Sequence, residues 1–319
     1  MTASKVAVVQ SGSLAFDTAR TLDRVATLAA RAGDSGAQLI LFPEAFVGGY
    51  PKGIDFGTRV GGRTPEGRTW FRRYFEGGID VPGPATERLG EIASHHRAWL
   101  VIGVIERDRG TLYCTALFFS PDGSLVSKHR KLMPTAMERI IWGFGDGSTM
   151  PVLDTPLGKI GAVICWENYM PLLRMAMYTK GIQIYCAPTV DDRETWAVSM
   201  RHIACEGRCF VLSACQFAQR SDYPDDYPAD HAANLAHTGD VLIRGGSSIV
   251  SPLGREIVAP VYDREEVLTA EINLGEIAEG KFDLDVAGHY ARPDVFQLTV
   301  NETCTDPKFH TSSGPEFQK

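Results

Sequence analysis

The chain of 319 residues has no long hydrophobic run. Its longest apolar stretches, at residues 99–105, 112–119 and 160–166, have the length of a β-strand and fall short of the roughly 20 residues that span a bilayer. The N-terminal sequence MTASKVAVVQ leads directly into a strand-like segment, without the basic region and long apolar core of a secretory signal. We therefore expect no membrane span, no export and a cytoplasmic location.

An excess of positive charge and a regular cysteine framework are also missing. Lys and Arg number 32 against 39 Asp and Glu, which gives a net charge of −7. No basic stripe is present to neutralise phosphates, so nucleic acid is not an expected partner.

The seven cysteines are odd in number and lie mostly in apolar runs, which is typical of reduced thiols. A disulfide scaffold is excluded.

Strand-length apolar runs alternate with amphipathic stretches along most of the sequence. With 44% apolar and 22% charged residues, the composition is that of a globular protein with a large core. The alternation favours an α/β chain over a helical bundle or an all-β sandwich. The predicted strands are residues 6–10, 38–42, 99–105, 112–119, 159–166, 182–187, 209–214, 247–251 and 267–272. The predicted helices are residues 17–33, with Asp17 as a candidate N-cap, 86–96, 172–180 and 194–208. The turn sequences RDRG at 107–110 and SPDG at 120–123 predict a meander of antiparallel strands, and residues 159–187 predict a strand-helix-strand unit.

Two stretches interrupt this alternation. Residues 48–83 are rich in Gly and Arg and show no steady period, which predicts a long excursion. Residues 219–244 are polar and acidic, which predicts a surface loop. We interpret the chain as a single domain over residues 1–300, with insertions near 52–80 and 219–244, followed by a polar tail at 301–319.

Several common catalytic motifs are absent from the sequence. It contains no GxSxG, HExxH, CxxC or P-loop motif, so serine hydrolase, zinc peptidase, zinc ribbon and NTPase functions have no local support. The segment GFGDGS at 143–148 lacks the dinucleotide-binding spacing and does not follow a strand, so we interpret it as a turn. The remaining candidates are reactive or charged side chains at the ends of predicted strands.

Cys165, in KIGAVICWEN, lies at the end of an apolar strand and before a polar turn. Reactive sites in α/β proteins form at such positions. Cys186 and Cys209 stand among Ile, Tyr, Phe and Val and are better candidates for inert core thiols. We expect Cys165 to be the more exposed thiol and a candidate nucleophile, which needs a neighbouring base, cation or helix dipole.

Three charged residues stand where they could assist such a thiol. Glu44 follows the apolar segment QLILFP. Desolvation at this position would raise the pKa of its carboxyl group and make it a base. A structural role, in which the carboxylate caps a loop, is equally open. Lys131 ends the charged run of SKHRKLMP, and we expect the other three charged residues of 128–131 to face solvent. Glu138 follows in PTAMERIIWG, with a surface ion pair to Arg139 as its structural alternative.

These segments resemble the signatures of a known family. LFPEAFVGGYP, KHRKLMPTAMERIIWGFGDGS and ICWEN resemble the three signatures of the nitrilase superfamily. TLYCTALFFSPDG, YCAPTVDDRETW and GHYARPDVF are similar to its nitrilase branch, including plant nitrilases and their bacterial relatives. The resemblance covers nearly the whole chain, except the acidic loop at 220–240 and the tail. It implies a four-layer αββα sandwich, in which helices cover two central sheets.

The resemblance also implies a site and a reaction. It makes Cys165 the nucleophile and Glu44 the general base. It makes Lys131 the cation that stabilises the tetrahedral species, and Glu138 a supporting carboxylate. The implied reaction hydrolyses an organic nitrile to the carboxylic acid and ammonia through a thioimidate and a thioester, with no metal or organic cofactor. An amidase or carbamoylase with the same four residues is the alternative, and a non-catalytic scaffold protein is a further one.

The substrate pocket is expected to form from segments that flank these four residues. The candidate lining residues are Tyr50, Trp142, Trp166 and Pro188. They predict an aromatic, mostly apolar pocket for a small-molecule nitrile, and core packing is equally open for the first two. The choice among aliphatic, arylaliphatic, aromatic and cyanoalanine nitriles stays open. The resemblance further implies a homo-oligomer built from dimers, which can extend into a spiral, with His289 in a structural or interface position.

Overall fold

The computed structural model describes residues 3–228 and 240–304, and the following account concerns these residues. The strands are β1 (Ser4–Gln10), β2 (Leu39–Leu41), β3 (Thr58–Arg59), β4 (Gly62–Arg63), β5 (Ile79–Asp80), β6 (Trp99–Asp108), β7 (Thr111–Phe119), β8 (Leu125–Arg130), β9 (Val152–Thr155), β10 (Gly158–Ala162), β11 (Ile184–Thr189), β12 (Phe210–Cys215), β13 (Phe217–Gln219), β14 (Val241–Val250), β15 (Glu256–Tyr262) and β16 (Glu266–Ile272). The helices are α1 (Thr18–Asp34), α2 (Pro65–Gly77), α3 (Pro84–His96), α4 (Glu138–Ile141), α5 (Pro171–Thr179), α6 (Glu194–Gly207) and α7 (Gly275–Gly280).

The first of two large sheets has the strand order β16-β1-β2-β6-β7-β8, with β5 beside β6. Strands β1, β2 and β6 are parallel, and α1 crosses between the first two. Asp17 is the N-cap of α1, as predicted. Its carboxylate accepts a hydrogen bond from the backbone N–H of Arg20 at 3.0 Å. Strands β6, β7 and β8 form the antiparallel meander that the turn sequences RDRG and SPDG predict.

The second large sheet has the strand order β13-β14-β12-β11-β10-β9, with β15 beside β14. Its central strands β10, β11 and β12 are parallel, and α5 and α6 connect them in turn. The predicted strand-helix-strand unit in this part of the chain is confirmed. The two sheets thus share a design in which parallel central strands are joined by helices on one face.

Apolar side chains divide the molecule into four layers. Between the sheets, Val6, Leu41 and Val101 of the first sheet pack with Ile184 and Leu212 of the second in one continuous cluster. A separate cluster joins α1 and α3 to the outer face of the first sheet. A third joins α5 and α6 to the outer face of the second sheet. The four-layer αββα sandwich is confirmed. In the described ranges, no helix combines the length and hydropathy needed to cross a membrane.

The structure differs from the sequence-based expectation in both predicted insertions. Residues 48–83 contain α2, whose buried face includes Trp70 and Tyr74. In the predicted surface loop, Tyr223 is buried and Val241 begins β14, so the loop assignment is wrong at both ends. The middle of that loop, residues 229–239, lies outside the described residues, as does the predicted polar tail from residue 305 onward.

Strands β9 and β15 are absent from the sequence-based prediction. Both are half-buried strands at the margins of the second sheet, β9 is only four residues long, and neither alternates clearly between buried and exposed positions. Strand β15 also contains Pro260, which cannot donate a backbone hydrogen bond and is tolerated at such margins. The turn SPLG at residues 251–254 is therefore followed by a strand whose apolar run is interrupted by a proline.

Candidate active site

Three of the four candidate residues follow strand ends in the two sheets, and the fourth begins a short helix. Glu44 follows β2, and Lys131 directly follows β8, both in the first sheet. Cys165 follows β10 in the second sheet, and Glu138 begins the short helix α4. The candidate site therefore lies where the ends of the two sheets meet, so that neither sheet alone could form it.

Lys131 lies between two carboxylates in the protein interior. Its Nζ atom donates hydrogen bonds to Glu44 Oε1 at 2.7 Å and to Glu138 Oε2 at 2.8 Å. All three residues are buried. The Glu138 carboxylate also accepts hydrogen bonds from the Tyr50 hydroxyl at 2.9 Å and from the Thr135 backbone N–H at 2.6 Å. These contacts replace the predicted structural alternative, a surface ion pair of Glu138 with Arg139.

Charge pairing decides the protonation of this cluster. Burial by itself would lower the pKa of Lys131, but the surrounding acidic groups, Glu44 foremost, raise it well above its ordinary value. Burial raises the pKa of the Glu44 carboxyl, and the charge of Lys131 limits that rise. Lys131 is therefore a cation at neutral pH. Glu44 ionises closer to neutrality than an ordinary carboxyl group, which suits a base.

One oxygen of Glu44 has no hydrogen-bond donor. Oε1 accepts hydrogen bonds from Lys131 and, at 3.5 Å, from the thiol of Cys114. Within residues 3–228 and 240–304, Oε2 is buried without a partner. The Cys165 thiol lies close enough to lower the pKa of the Glu44 carboxyl, although no hydrogen bond of ordinary geometry joins the two. A buried acceptor without a donor is costly and leaves Oε2 available to a thiol, a water or a substrate proton.

The backbone at Cys165 adopts an unusual conformation. Cys165 has φ +50° and begins a 3₁₀ turn over Cys165–Tyr169. This left-handed region is disfavoured for residues with a side chain and occurs often at functional sites. The Asn168 side chain holds the turn by donating to the carbonyl groups of Cys165 and Val163 at 2.7 and 2.9 Å. Ala45 and Ala136, beside the two carboxylates, also have positive φ values.

The Cys165 thiol is protonated at rest. Burial raises its pKa well above the ordinary value, and the charge of Glu44 raises it further. Lys131 and a hydrogen bond of 3.1 Å from the Thr189 hydroxyl act in the opposite direction. Cys186 and Cys209 are fully buried, as predicted. Cys165 is also buried, at 3% exposure, so it is scarcely the more exposed thiol that the sequence predicts, but it lines a cavity. Reaction at Cys165 therefore requires a base to remove the thiol proton.

The charged run at residues 128–131 is less exposed than the sequence predicts. His129 is buried and contacts Glu167, so the expectation that only Lys131 points inward is wrong. Lys128 and Arg130 lie on the opposite side of the strand and bind the buried carboxylate of Glu106. The charges of this run are therefore paired within the protein, because buried charges require partners.

A cavity of about 190 Å³ reaches Cys165 from the surface. Tyr50 and Trp166 line it, in agreement with their predicted places. Trp142 and Pro188 do not line the cavity, although the sequence predicts this. Trp142 is buried behind Tyr50, with the two ring centroids 5.9 Å apart. Pro188 is buried in β11, which is flanked by strands on both sides.

Half of the residues that line this cavity are charged, although apolar atoms contribute more of the lining surface than polar atoms do. The expectation of a mostly apolar pocket therefore holds only by a narrow margin. The remaining lining residues are Lys52, Thr135, Glu138, Val190, Asp191, Asp192 and Arg193. Asp191 binds the indole N–H of Trp166 at 2.8 Å and Nε of Arg193 at the same distance. In the sequence, the run DDR at 191–193 could have indicated these residues, because it follows β11 at the same sheet edge as Cys165. Within the described part of the chain, no group of three His, Cys, Asp or Glu residues is arranged to hold a metal ion.

Comparison with known proteins identifies the family. The model of the carbon-nitrogen hydrolase family matches residues 5–282. A nitrilase of Bradyrhizobium diazoefficiens is 57% identical over 298 residues, covering 93% of this chain and 92% of that protein. A bifunctional nitrilase/nitrile hydratase of Nicotiana tabacum is 55% identical over 316 residues, covering 98% of this chain and 90% of that protein. The chain belongs to the carbon-nitrogen hydrolase family, the nitrilase superfamily that its motifs resemble.

The fold agrees with solved structures of the same superfamily. A CN-hydrolase superfamily protein of Xanthomonas campestris aligns with a TM-score of 0.72 and 16% sequence identity, covering 94% of this chain and all of that one. A member from Saccharomyces cerevisiae aligns with a TM-score of 0.68 and 24% identity, covering 92% of this chain and 97% of the other. At these identities the likeness concerns the fold alone.

The loop that carries Glu44 passes close to β6 at Gly103. A Cβ atom at this position would lie 2.6 Å from Glu44 Cα and would also meet the Pro43 carbonyl oxygen. The Gly103 N–H donates to that oxygen at 3.1 Å. Glycine therefore permits the close approach that fixes the backbone of Glu44.

We predict that Gly103→Ala lowers the free energy of unfolding by about 1–3 kcal/mol, because the added methyl group collides with backbone that has no room to move. Denaturant midpoints measure the loss. Gly110→Ala is the matched control, since its added Cβ meets no atom within 4 Å, and it should change stability by less than about 0.5 kcal/mol. Equal stability of the two variants would contradict the steric account.

Proposed function

We propose that this chain is a nitrilase, which hydrolyses an organic nitrile to the carboxylic acid and ammonia. The observation that carries the proposal is the buried cluster of Lys131, Glu44 and Glu138 beside Cys165 at the end of a cavity. Membership of the carbon-nitrogen hydrolase family and the nitrilase names of the relatives support the same conclusion.

In the first step, Cys165 Sγ attacks the nitrile carbon. Glu44 removes the thiol proton through its unpartnered Oε2 and delivers it to the nitrile nitrogen, so the product is a neutral thioimidate. The Lys131 ammonium group stabilises the negative charge that develops on nitrogen. The Trp166 backbone N–H, directly after Cys165, donates to the same charge.

In the second step, a water molecule loses a proton to Glu44 and adds to the thioimidate carbon, and Glu44 passes this proton to the nitrogen, which gives a neutral tetrahedral species with one hydroxyl and one amino group. Glu44 then moves the hydroxyl proton to the amino group, so the carbon–nitrogen bond breaks, ammonia leaves and the thioester carbonyl forms. A second water hydrolyses the resulting thioester and restores the Cys165 thiol. One nitrile and two waters thus give one acid and one ammonia. If the carbon–sulfur bond breaks in the tetrahedral species instead, the amide is released.

Glu138 acts in this scheme through the groups that it holds. Its two oxygens bind Lys131, Tyr50 and the Thr135 N–H, so it fixes the ammonium group while also lining the cavity. Glu44 is less suited to fixing the ammonium group, because a base must change its protonation state during the reaction. The two carboxylates therefore divide the work between proton transfer and positioning.

The cavity restricts the substrate by size and polarity. Its volume of about 190 Å³ is below the roughly 300–1,000 Å³ of pockets for drug-sized ligands. Lys52, Asp191 and Arg193 add charged groups along its wall. We propose a small aliphatic nitrile that carries a polar substituent, ahead of a bulky aromatic one.

We also propose a homo-oligomer built from dimers. Tyr169, Leu172 and Val198 expose much of their apolar surface on the face formed by the Cys165–Tyr169 turn, α5 and α6. The turn and α6 are in contact, because Ser199 Oγ donates to the Tyr169 hydroxyl at 3.2 Å. Grouped apolar side chains of this kind mark interaction surfaces.

The location and domain organisation stay as proposed from the sequence. All seven cysteines are free thiols, which supports a reducing compartment such as the cytoplasm. The family match over residues 5–282 supports a single domain within residues 1–300. His289 is exposed, which suits an interface position.

The reaction is tested by measuring ammonia and acid released from aliphatic, arylaliphatic and aromatic nitriles, with the matching amides and carbamoyl compounds assayed in parallel. We predict ammonia from small nitriles, with the acid as the main product and Cys165→Ala as the blank. Release from amides or carbamoyl compounds alone would favour the amidase or carbamoylase alternative. No release from any compound would favour the scaffold alternative.

We predict that Cys165→Ser folds normally and loses at least about 10³-fold in kcat, because the hydroxyl group is a much weaker nucleophile at this position. Circular dichroism verifies the fold, and ammonia release measures kcat. Normal turnover by the folded variant would exclude Cys165 as the nucleophile.

We predict an acid limb in kcat/KM above pH 4.5, the ordinary pKa of a glutamate carboxyl. Glu44 acts as a base only when ionised, and burial raises its pKa, so activity falls as the pH decreases through this raised value. The profile is measured with a substrate that does not ionise in the range, in protein shown to be folded. A limb at or below pH 4.5 would contradict the role of Glu44.

We predict that Leu172→Glu converts the oligomer to smaller species, because it places a charge in an apolar contact surface. Light scattering coupled to gel filtration measures the mass. Leu253→Glu is the control, since Leu253 is also exposed but lies in a turn after β14. Loss of assembly in both variants, or a wild-type monomer at micromolar concentration, would contradict the proposed interface.

A further inference from the structure

His129 and Glu167 form a buried pair behind the four site residues. His129 stands two residues before Lys131, and Glu167 stands two residues after Cys165. Their side chains are 1% and 0% exposed, and Glu167 Oε2 lies 3.0 Å from His129 Nε2. Neither residue lines the cavity at Cys165, so neither is placed to touch a substrate there.

The Glu167 carboxylate joins the two loops that carry the nucleophile and the cation. Oε2 accepts a hydrogen bond from the Ile164 N–H at 2.9 Å, directly before Cys165. Oε1 accepts one from the Leu132 N–H at 2.5 Å, directly after Lys131. With the His129 ring, this carboxylate has three donors and is satisfied as an anion. One side chain thus spans the junction of the two sheets at the site.

The partners of His129 determine its protonation. Nε2 faces the Glu167 carboxylate and Nδ1 faces the Thr149 carbonyl oxygen, and both of these groups only accept. Both ring nitrogens therefore carry a proton, and the ring is an imidazolium ion. Burial lowers the pKa of His129, as does the charge of Lys180, but the charge and hydrogen bond of Glu167 raise it above its ordinary value overall.

We propose that Glu167, held by the His129 imidazolium ion, is a positioning residue that fixes the Cys165 turn relative to Lys131 for nitrile hydrolysis. The inference rests on the proposed function. The strained φ of Cys165 needs support from outside the turn, and Glu167 anchors the turn to the segment that carries the cation. A shift of about 1 Å between these groups is enough to slow a reaction about 100-fold.

Glu167→Gln tests the proposal with almost no change in shape. Its amide nitrogen replaces one acceptor oxygen and opposes a donor, so at least one link between the loops is lost. We predict a fall in kcat of about 10- to 100-fold with KM changed less than about threefold, because the side chain does not line the cavity. An unchanged kcat, or a loss confined to KM, would overturn the proposal.

Glu106→Gln is the matched control for a merely structural effect. Glu106 is also a buried carboxylate with several donors, from Lys128, Arg130 and Thr115, but it does not contact the Cys165 turn. Both variants are assayed at a temperature where circular dichroism shows them folded. We predict that Glu106→Gln lowers thermal stability and keeps kcat within about twofold. Equal losses of kcat in the two variants would assign the effect to stability.

A double-mutant cycle with His129→Gln tests whether the pair acts as one unit. If the imidazolium ion works through Glu167, the double variant loses about as much kcat as the more impaired single variant. Multiplicative losses would overturn that coupling. Nitrogen NMR of histidine-labelled protein, assigned with His129→Gln, provides a second readout. Two protonated ring nitrogens at neutral pH are expected, and one unprotonated nitrogen would overturn the imidazolium assignment.

A readout that needs no nitrile separates this inference from the proposed function. The rate at which iodoacetamide alkylates Cys165, followed by mass spectrometry of its peptide, reports how the thiol is placed against Glu44 and Lys131. We predict slower alkylation, by about tenfold or more, in Glu167→Gln and not in Glu106→Gln. Wild-type protein that is inactive on nitriles but shows this difference would contradict the function and keep the positioning role. Active wild-type protein without this difference would support the function and contradict the positioning role.

Discussion

The Lys131 ammonium group, buried between Glu44 and Glu138, sets the conditions that the rest of the site must meet. An isolated charge in the protein interior is strongly unfavourable, and removing one partner of a buried ion pair typically costs about 3–5 kcal/mol. The two carboxylates lie on separate segments, one after β2 and one at the start of α4. The native fold must therefore bring three loops together closely enough for direct hydrogen bonds.

The same cluster explains why the nucleophile can be a protonated, buried thiol. Burial raises the pKa of the Cys165 thiol and so disfavours a thiolate in the resting state, and the charges of Glu44 and Glu138 raise it further against the opposing charge of Lys131. Among the described residues, Glu44 Oε2 has no hydrogen-bond donor, so it can take the proton when the thiol reacts. Activation is thus coupled to attack on the substrate, and Lys131 remains a cation through the cycle because its pKa is raised well above its ordinary value.

Local patterns in the sequence were sufficient for the parts of this account that depend on short-range order. The Asp17 cap, the β6–β8 meander and the strand-helix-strand unit around α5 follow from turn residues and apolar periodicity. The placing of Glu44 and Cys165 at strand ends follows from the same patterns. Their roles as base and nucleophile came from the family resemblance, since strand ends alone also accommodate capping carboxylates and core thiols.

Features that depend on distant partners were not predictable in this way. His129 turns inward because it meets Glu167, 38 residues away, whereas its neighbours in sequence suggest a solvated run. The charged residues 191–193 line the cavity because the turn after β11 packs beside Cys165. Helix α2 was missed because its glycine and arginine residues obscure the period of its buried aromatic face. In each case the deciding interaction is tertiary.

The central claim is that Cys165, activated inside this cluster, forms a covalent bond to the substrate carbon. Rapid acid quenching during turnover of a small nitrile, followed by mass spectrometry of the Cys165 peptide, tests it most directly. We predict a transient mass increase on Cys165 equal to the thioimidate or the acyl group, which disappears when the substrate is exhausted. Turnover that proceeds with Cys165 unmodified at every time point would contradict it.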